Sequence, residues 1–310
     1  MKALTQRPVR SEGEPTIYQV ADRAEVSIAT VSRVLRGTAP VAAATRARVI
    51  AAVDELGYTP SRLGRSLAEG QHAANGIVFP DLSGPYFAEV VLGYEEVAAE
   101  LGRSVLILST HGRQAAREMV LDLAARVDGL VVLGRTVDDE VLEALARKNL
   151  PLVLLARDDV AGFDSVTAEN EASARSLVSH LIADHGYRDL AFLGDASISP
   201  DTSQRWDGFR QALGDHGIDA EPRLLPCAFH EGGGRRAARE VLCEANRPRV
   251  LVCANDEIAL GAITAAEEFG LDVPTDIAIT GWDDVMAARH ARPGLTTVRQ
   301  PMRQLGARAA

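Results

Sequence analysis

Lysine is almost missing from this chain. Of 33 basic residues only Lys2 and Lys148 are lysines and the rest are arginine, a skew of the kind GC-rich coding sequences produce. Cysteine is scarce too. Cys227, Cys243 and Cys253 are odd in number and form no CxxC pair, which excludes a disulfide framework and a zinc-finger pattern. No apolar run approaches the ~18 residues of a membrane helix. The opening "MKALTQRPVRSEGEP" has no apolar core of a secretory signal, so the expectation is a cytoplasmic protein with no membrane partner.

Catalytic signatures are lacking as well. No GxGxxG follows the first apolar run, and "GGG" at 232–234 lacks the spacing and acidic partner of a dinucleotide fingerprint. P-loop, HExxH and GxSxG patterns do not occur. His180 and His185 are five apart and would not share a helix face, so no metal pair is expected. Nothing couples a nucleophile to a base. The reading is a protein that is not an enzyme, with no cofactor and no metal.

What is present is a chain of 310 residues, 46% hydrophobic and 25% charged, long enough for two or three compact units. Its net charge of −10 is unevenly spread. Residues 1–70 hold 10 basic and 7 acidic side chains, whereas residues 71–310 hold 23 and 36. A basic head on an acidic body is the asymmetry of a nucleic-acid module joined to a sensor.

The head reads as helices. After a polar tail (1–15), a helix is expected over residues 17–24, with Val20, Ala21 and Ala24 on one face. The stretch "EVSIATVSRVLRG" then supplies a three-residue turn, an N-cap at Ser27, a helix over 28–36 and a stop at Gly37. A third helix is expected over 43–56, with Val49, Ile50, Val53 and Leu56 buried and Gly57 as its stop. Short helices joined by so tight a turn make a helix-turn-helix domain, placed at 16–60. With Val31, Val34 and Leu35 inside, the second helix must present Ile28, Ala29, Ser32, Arg33 and Arg36 outward, with base-edge contacts at its N-terminal end.

From residue 74 the pattern becomes α/β. "NGIVFP", "SVLILS", "GLVVLG" and "LVLLA" are runs of the buried parallel-strand type, separated by helical patterns such as 86–101 and 114–125. A second series follows in "DLAFLGD", "RLLPCAF", "RVLVCAND" and "DIAITGWDD". Two similar lobes with parallel sheets are expected: 72–168 together with 295–310, to which "GLTTVRQ" returns, and 169–294. Ligands bind beyond the carboxyl ends of such strands. That rule collects Asp81, Tyr86 and Phe87; Thr202, Ser203 and Arg205; Phe229; Asn255 and Asp256; and Asp283 and Asp284. Aromatic faces, one guanidinium fork, carboxylates and an amide suit a small polyol or a heterocycle. Asp256 and Asp284 also fit as first-turn helix charges, Asp81 as a turn former and Phe87 as lobe core.

These stretches resemble the lactose/galactose repressor (LacI/GalR) family. The resemblance begins at "TIYQVADRAEVSIATVSRVLRG" and runs through "GIVFPDLSGPYFAEVVLGYEEVAAELG", "HGYRDLAFLGD", "RWDGFRQAL" and "VLVCANDEIALGAITAAEEFGLDVPTDIAITGWDD" to "LTTVRQP", over residues 16–310. It implies a repressor that binds a near-palindromic duplex operator as a homodimer, a tetramer remaining open. An effector between periplasmic-binding-protein-like lobes would control it, a sugar first and a purine or nucleoside second. By the same resemblance Ile28 and Ala29 read bases, Arg33 adds a DNA contact, and Tyr18 meets a phosphate; Ser27, Ser32 and Arg36 complete the DNA-binding set. Residues 61–71 imply a hinge in which Leu67 wedges into the minor groove and Leu63 faces the partner hinge. Tyr86, Phe87, Arg205, Phe229 and Asp283 fall on effector-contact positions, beside Asp81 and Asn255 from the strand rule. The chain departs from the family at Ser61, where asparagine is usual, at Gly64, where alanine is usual, and after "MRQLGARAA", where a further strand is usual.

Overall fold

The computed structural model describes residues 15–37, 39–59 and 72–310, which fall into two compact units divided between His72 and Ala73. The hinge segment with Ser61, Leu63, Gly64 and Leu67 lies outside the described residues.

In the first unit, α1 (Ile17–Arg23) is opened by a capping box between Thr16 and Gln19, and α2 (Ile28–Arg36) by the Ser27 side chain accepting from Thr30 N–H. Gly37 and Gly57 sit at φ 66° and 62°, a left-handed conformation that ends α2 and α3 (Ala43–Leu56) at low steric cost because glycine has no Cβ. The core is small: Val20, Ala21, Ala24, Val31, Val34, Val49 and Ala52, with Leu35, Val53 and Leu56 against it. One expectation fails. Ile50 is 42% exposed, and Ala52 takes its place in the stripe. The spacing 49, 52, 53, 56 holds one helical face, which Ile50 leaves by a 100° step.

The second unit carries two parallel sheets. The first has β1 (Ala74–Phe79), β2 (Ser104–Ser109), β3 (Gly129–Leu133), β4 (Leu152–Leu155) and β5 (Asp164–Val166), ordered β2-β1-β3-β4-β5. Between them run α4 (Pro85–Glu100), α5 (Ala116–Ala124) and α6 (Asp139–Ala146). The second sheet has β6 (Leu190–Leu193), β7 (Arg223–Leu225), β8 (Val250–Cys253), β9 (Ala278–Asp283) and β10 (Thr296–Arg299), ordered β10-β9-β8-β6-β7. Its helices are α7 (Glu171–Ala183), α8 (Pro200–Asp215), α9 (Glu231–Leu242), α10 (Asp256–Glu268) and the short α11 (Met286–His290). Fully buried runs such as "ANGIVF" and "VLVC" form central strands because both faces are covered by helices.

"GLTTVRQ" does not return to the first lobe. It forms β10, parallel to β9 with Val298 opposite Trp282, at the edge of the second sheet. The return comes one element later, in α12 (Met302–Ala309), which packs on α4. Two glycines allow that approach: a Cβ at Gly93 would collide with the Arg303 carbonyl, and one at Gly306 with that of Val90. Arg303 closes the contact with an ion pair to Glu89 at 2.6 Å. The edge strand β5 was not singled out in the sequence because "DSV" is short and mostly exposed, with no apolar run.

A candidate DNA-reading helix and a buried interlobe cluster

On α2, Ile28 is 39% exposed, and Ala29, Arg33 and Arg36 are exposed beside it. Positions 28, 29, 32, 33 and 36 share one helical face, opposite the buried Val31 and Val34. Ser27 Oγ accepts from Thr30 N–H at 3.2 Å, so its first task is to cap the helix. Arg36 Nε donates to the Ser32 carbonyl at 3.3 Å, which lays its stem along the helix. Tyr18 on α1 is 65% exposed.

In the second unit the polar residues converge on Arg205. Its side chain enters from α8 and the residue is 5% exposed. Nε donates to Asn170 Oδ1 at 2.8 Å and Nη1 to the Ala254 carbonyl at 2.7 Å. With the Gln300 amide oriented to satisfy both neighbours, its oxygen accepts from Arg205 Nη2 at 2.9 Å and its nitrogen donates to Asp283 Oδ1 at 3.1 Å. The guanidinium lies 4.4 Å from the centroid of the Trp282 ring. Asp201 stands 3.9 Å from Arg205 and accepts from Asn170 Nδ2 at 3.2 Å.

Burial outweighs the attraction of Arg205 and holds the Asp283 carboxyl well above the usual carboxylate range. Asp283 also adopts φ 116°, a region that favours glycine. Backbone strain of this kind concentrates where side chains are aimed at a ligand. The buried donors without partners include Tyr86 Oη, Thr202 Oγ1, one turn before Arg205 on α8, and Nε1 of Trp282, whose ring faces the Arg205 guanidinium. Tyr86 comes from the first lobe, yet its phenol lies within electrostatic reach of Asp201, Asp283 and Arg205; burial, then the two carboxylates, push its pKa up. The cluster therefore draws on both lobes and on β10's exit at Gln300. A second interlobe approach is Gly84, where a Cβ would run into the Glu257 carboxylate.

The other expected residues fall around this cluster. Phe87 packs edge-on to Tyr86 and Phe79, with centroids 5.4 and 5.6 Å away, and so braces Tyr86. Phe229 is half-buried against the core of the second lobe. Asn255 Oδ1 caps α10 by accepting from Ile258 N–H at 2.8 Å. Asp81 is a half-buried turn former: Oδ1 accepts from Leu82 and Ser83 N–H, and these backbone donors keep its carboxyl below the usual range. Asp256 is structural, accepting from Val285 N–H at 2.9 Å and Thr297 Oγ1 at 2.6 Å, and its burial lifts its pKa to about 6. Asp284 pairs with Arg289 and Arg299. Asn170, Asp201, Trp282 and Gln300 were not picked from the sequence as site residues. Asn170 and Gln300 lie on or beside connectors between the lobes, which a rule about strand ends does not sample.

Among the described residues no helix is long and apolar enough to cross a membrane, and no group of three or more His, Cys, Asp or Glu side chains could hold a metal ion.

Residues 16–61 match the family described as bacterial regulatory proteins, lacI family, and residues 178–310 match a periplasmic binding protein-like domain. The chain is 34% identical over 296 residues to the HTH-type transcriptional repressor PurR of Erwinia tasmaniensis, covering 94% of this chain and 87% of that one. The lac repressor dimer bound to operator and the anti-inducer ONPF superposes with a TM-score of 0.85 at 32% identity, covering 96% of this chain and 90% of that one. A LacI family transcriptional regulator from Enterococcus faecium with bound ribose gives a TM-score of 0.71 at 25% identity, covering 76% and 87%. With a lacI-family match over its head and a full-length relative 34% identical to it, the chain belongs to the LacI family of bacterial transcriptional regulators.

Proposed function

We propose that this regulator represses transcription as a homodimer on a near-palindromic operator and that a sugar, held between the lobes of residues 72–310, controls it. The observation that carries the reading is the buried chain Arg205–Gln300–Asp283, with Tyr86 in electrostatic reach of it, the Trp282 ring against Arg205, and Tyr86 Oη, Thr202 Oγ1 and Trp282 Nε1 buried without partners. A fork donor, a carboxyl and unpartnered O–H and N–H groups beside an aromatic face match a ring bearing several hydroxyls. The ribose-bound relative supports that choice. Tyr18, Ser27, Ile28, Ala29, Ser32, Arg33 and Arg36 serve the DNA side, arginine contacts to phosphate giving salt-dependent affinity and base-edge contacts the specificity. Effector binding changes lobe closure and, through residues 61–71, the spacing of the two reading helices; couplings of this kind are typically ~1–3 kcal/mol.

A thermal-shift screen of sugars and nucleosides, followed by operator binding with each hit, tests this. A sugar that raises the unfolding midpoint and changes operator affinity is the expected result. A nucleoside that does so while sugars do not would transfer the site to the other ligand class. Absence of preference for duplexes flanking its own gene over bulk competitor would remove the repressor reading.

A further inference from the structure

Helix α7 ends in the sequence "SHLIADHGY". In a continuous α-helix two residues five apart face roughly 140° away from each other, so His180 and His185 should not meet. They do meet, because the helix stops at Ala183. Gly186 turns the chain at φ 72°, its N–H donating to the Ile182 carbonyl at 3.1 Å and that of Tyr187 to Leu181 at 3.3 Å. At this helix end the His185 ring lies against the His180 ring. The two Nε2 atoms stand 3.2 Å apart. The rings are perpendicular at 88°, with centroids only 4.8 Å apart, closer than two nitrogens aimed head-on across that gap would leave them. His180 Nδ1 is 2.6 Å from Asp184 Oδ2.

We propose that His180 and His185 form a two-imidazole chelate for a borderline divalent transition cation such as Zn²⁺, Ni²⁺ or Cu²⁺. Imidazole nitrogens suit these ions, and carboxylate-binding hard cations have no oxygen cage here. With metal–nitrogen bonds of ~2.0–2.1 Å, two nitrogens 3.2 Å apart subtend about 103° at the ion, close to a tetrahedral angle. Asp184 supplies what metal-bound histidines commonly have, a carboxylate on the other ring nitrogen. It accepts the Nδ1 proton of His180 and so leaves the Nε2 lone pair free to face the ion. Both imidazoles are exposed, so a hydrated ion can reach them and keep water in its remaining positions. Without an ion the pair is held by an N–H···N hydrogen bond. On binding, His185 carries its proton on Nδ1 and no net proton need leave.

The test uses the tag-free full chain, titrated calorimetrically with Zn²⁺ at pH 7.5 in a non-coordinating buffer. One site per chain is expected, absent from His180→Asn and from His185→Asn. Asp184→Asn keeps both imidazoles and should bind about 10–100-fold more weakly. The Cu²⁺-loaded wild type should show electron-spin couplings to two imidazole nitrogens, and His185→Asn to fewer. All three positions are exposed, so the unfolding midpoints of the metal-free variants should match wild type. Failure of wild type to take up Zn²⁺ or Cu²⁺ would overturn the proposal, leaving a hydrogen-bonded pair only. So would binding that survives either histidine replacement. Neither result touches the operator or effector readings, which use other residues.

Discussion

In the first unit Ile28, Ala29, Arg33 and Arg36 stand in solvent on a helix anchored by a few valines and alanines, whereas in the second unit Arg205 and Asp283 are each 5% exposed. The same residue type, arginine, therefore serves two regions under opposite conditions. On α2 the guanidiniums of Arg33 and Arg36 lie at the exposed surface, away from the apolar core of the domain. At the lobe cluster the guanidinium is itself a structural member, with Asn170, Ala254 and Gln300 satisfied by it. An exposed helix face can thus be altered without unfolding its domain, while a buried charge cluster is inseparable from the stability of the lobes it joins.

The same substitution in both regions tests that contrast, and its largest effect belongs to the second. Arg205→Ala leaves the Asn170 and Ala254 oxygens and the Gln300 amide without their partner and removes the stack on Trp282. Breaking a buried charge network costs about 3–5 kcal/mol, so denaturant unfolding should show a fall of that size together with a lost effector response. Unchanged stability would mean that the guanidinium is solvated and the contrast is false. Asp283→Ala should likewise abolish the effector response while operator affinity stays intact; a normal response would remove Asp283 from the site.

Buried carboxyls predict a pH dependence in the stability of the second unit. Asp256 has its pKa lifted from 3.8 to about 6 by burial. A raised carboxyl contributes stability that is fully present below the ordinary value and lost as pH rises through the folded one. That window is from about 4 to about 6, and the shift corresponds to at most roughly 3 kcal/mol. Asp201, Glu257 and Asp283 shift the same way, so the absolute curve does not isolate Asp256. The difference between wild type and Asp256→Asn does: on raising the pH through this window, wild type should lose stability relative to the variant. Parallel curves would overturn the assignment.

Arg33→Ala is the counterpart in the first unit. Its stability should stay within ±0.5 kcal/mol of wild type, as at other exposed positions. Specific operator binding should weaken by about 1–3 kcal/mol if the side chain reads a base, with a smaller loss on random DNA. Equal losses on both would make Arg33 a phosphate contact alone.

The two regions also differ in how far their sequences could be read. In the head, caps and stops are local: Ser27, Gly37 and Gly57 mark helix ends wherever the rest of the chain lies, and both bounds of α2 and the end of α3 follow. Ile50 escaped because a window of apolar residues does not say which one leaves the stripe. In the body, strands were legible as apolar runs, but partners are not local. "TTVR" pairs with β9 rather than entering the first sheet, a choice made by the sheet edge and not by the four residues. Arg205 and Asp283 were found because they follow strands. Asn170 and Gln300 were missed because their role exists only once both lobes are folded. His180 and His185 were dismissed on helical geometry, which ceased to apply two residues before His185.

The smallest expected effect lies between the two regions, at Gly64. The resemblance to the LacI family implies that residues 61–69 become helical on the operator, and glycine disfavours a helix by about 1 kcal/mol relative to alanine. The cost arises when the hinge orders, so Gly64→Ala should leave the isolated properties of both units unchanged. Effector affinity in the absence of DNA should be as in wild type. Operator binding should tighten several-fold for each hinge of the dimer, because about 1 kcal/mol per hinge no longer opposes it. Titration of operator against both proteins at one fixed salt concentration reads this directly, since phosphate contacts make affinity salt-dependent. Equal affinities would remove the reading in which this segment turns helical on the operator.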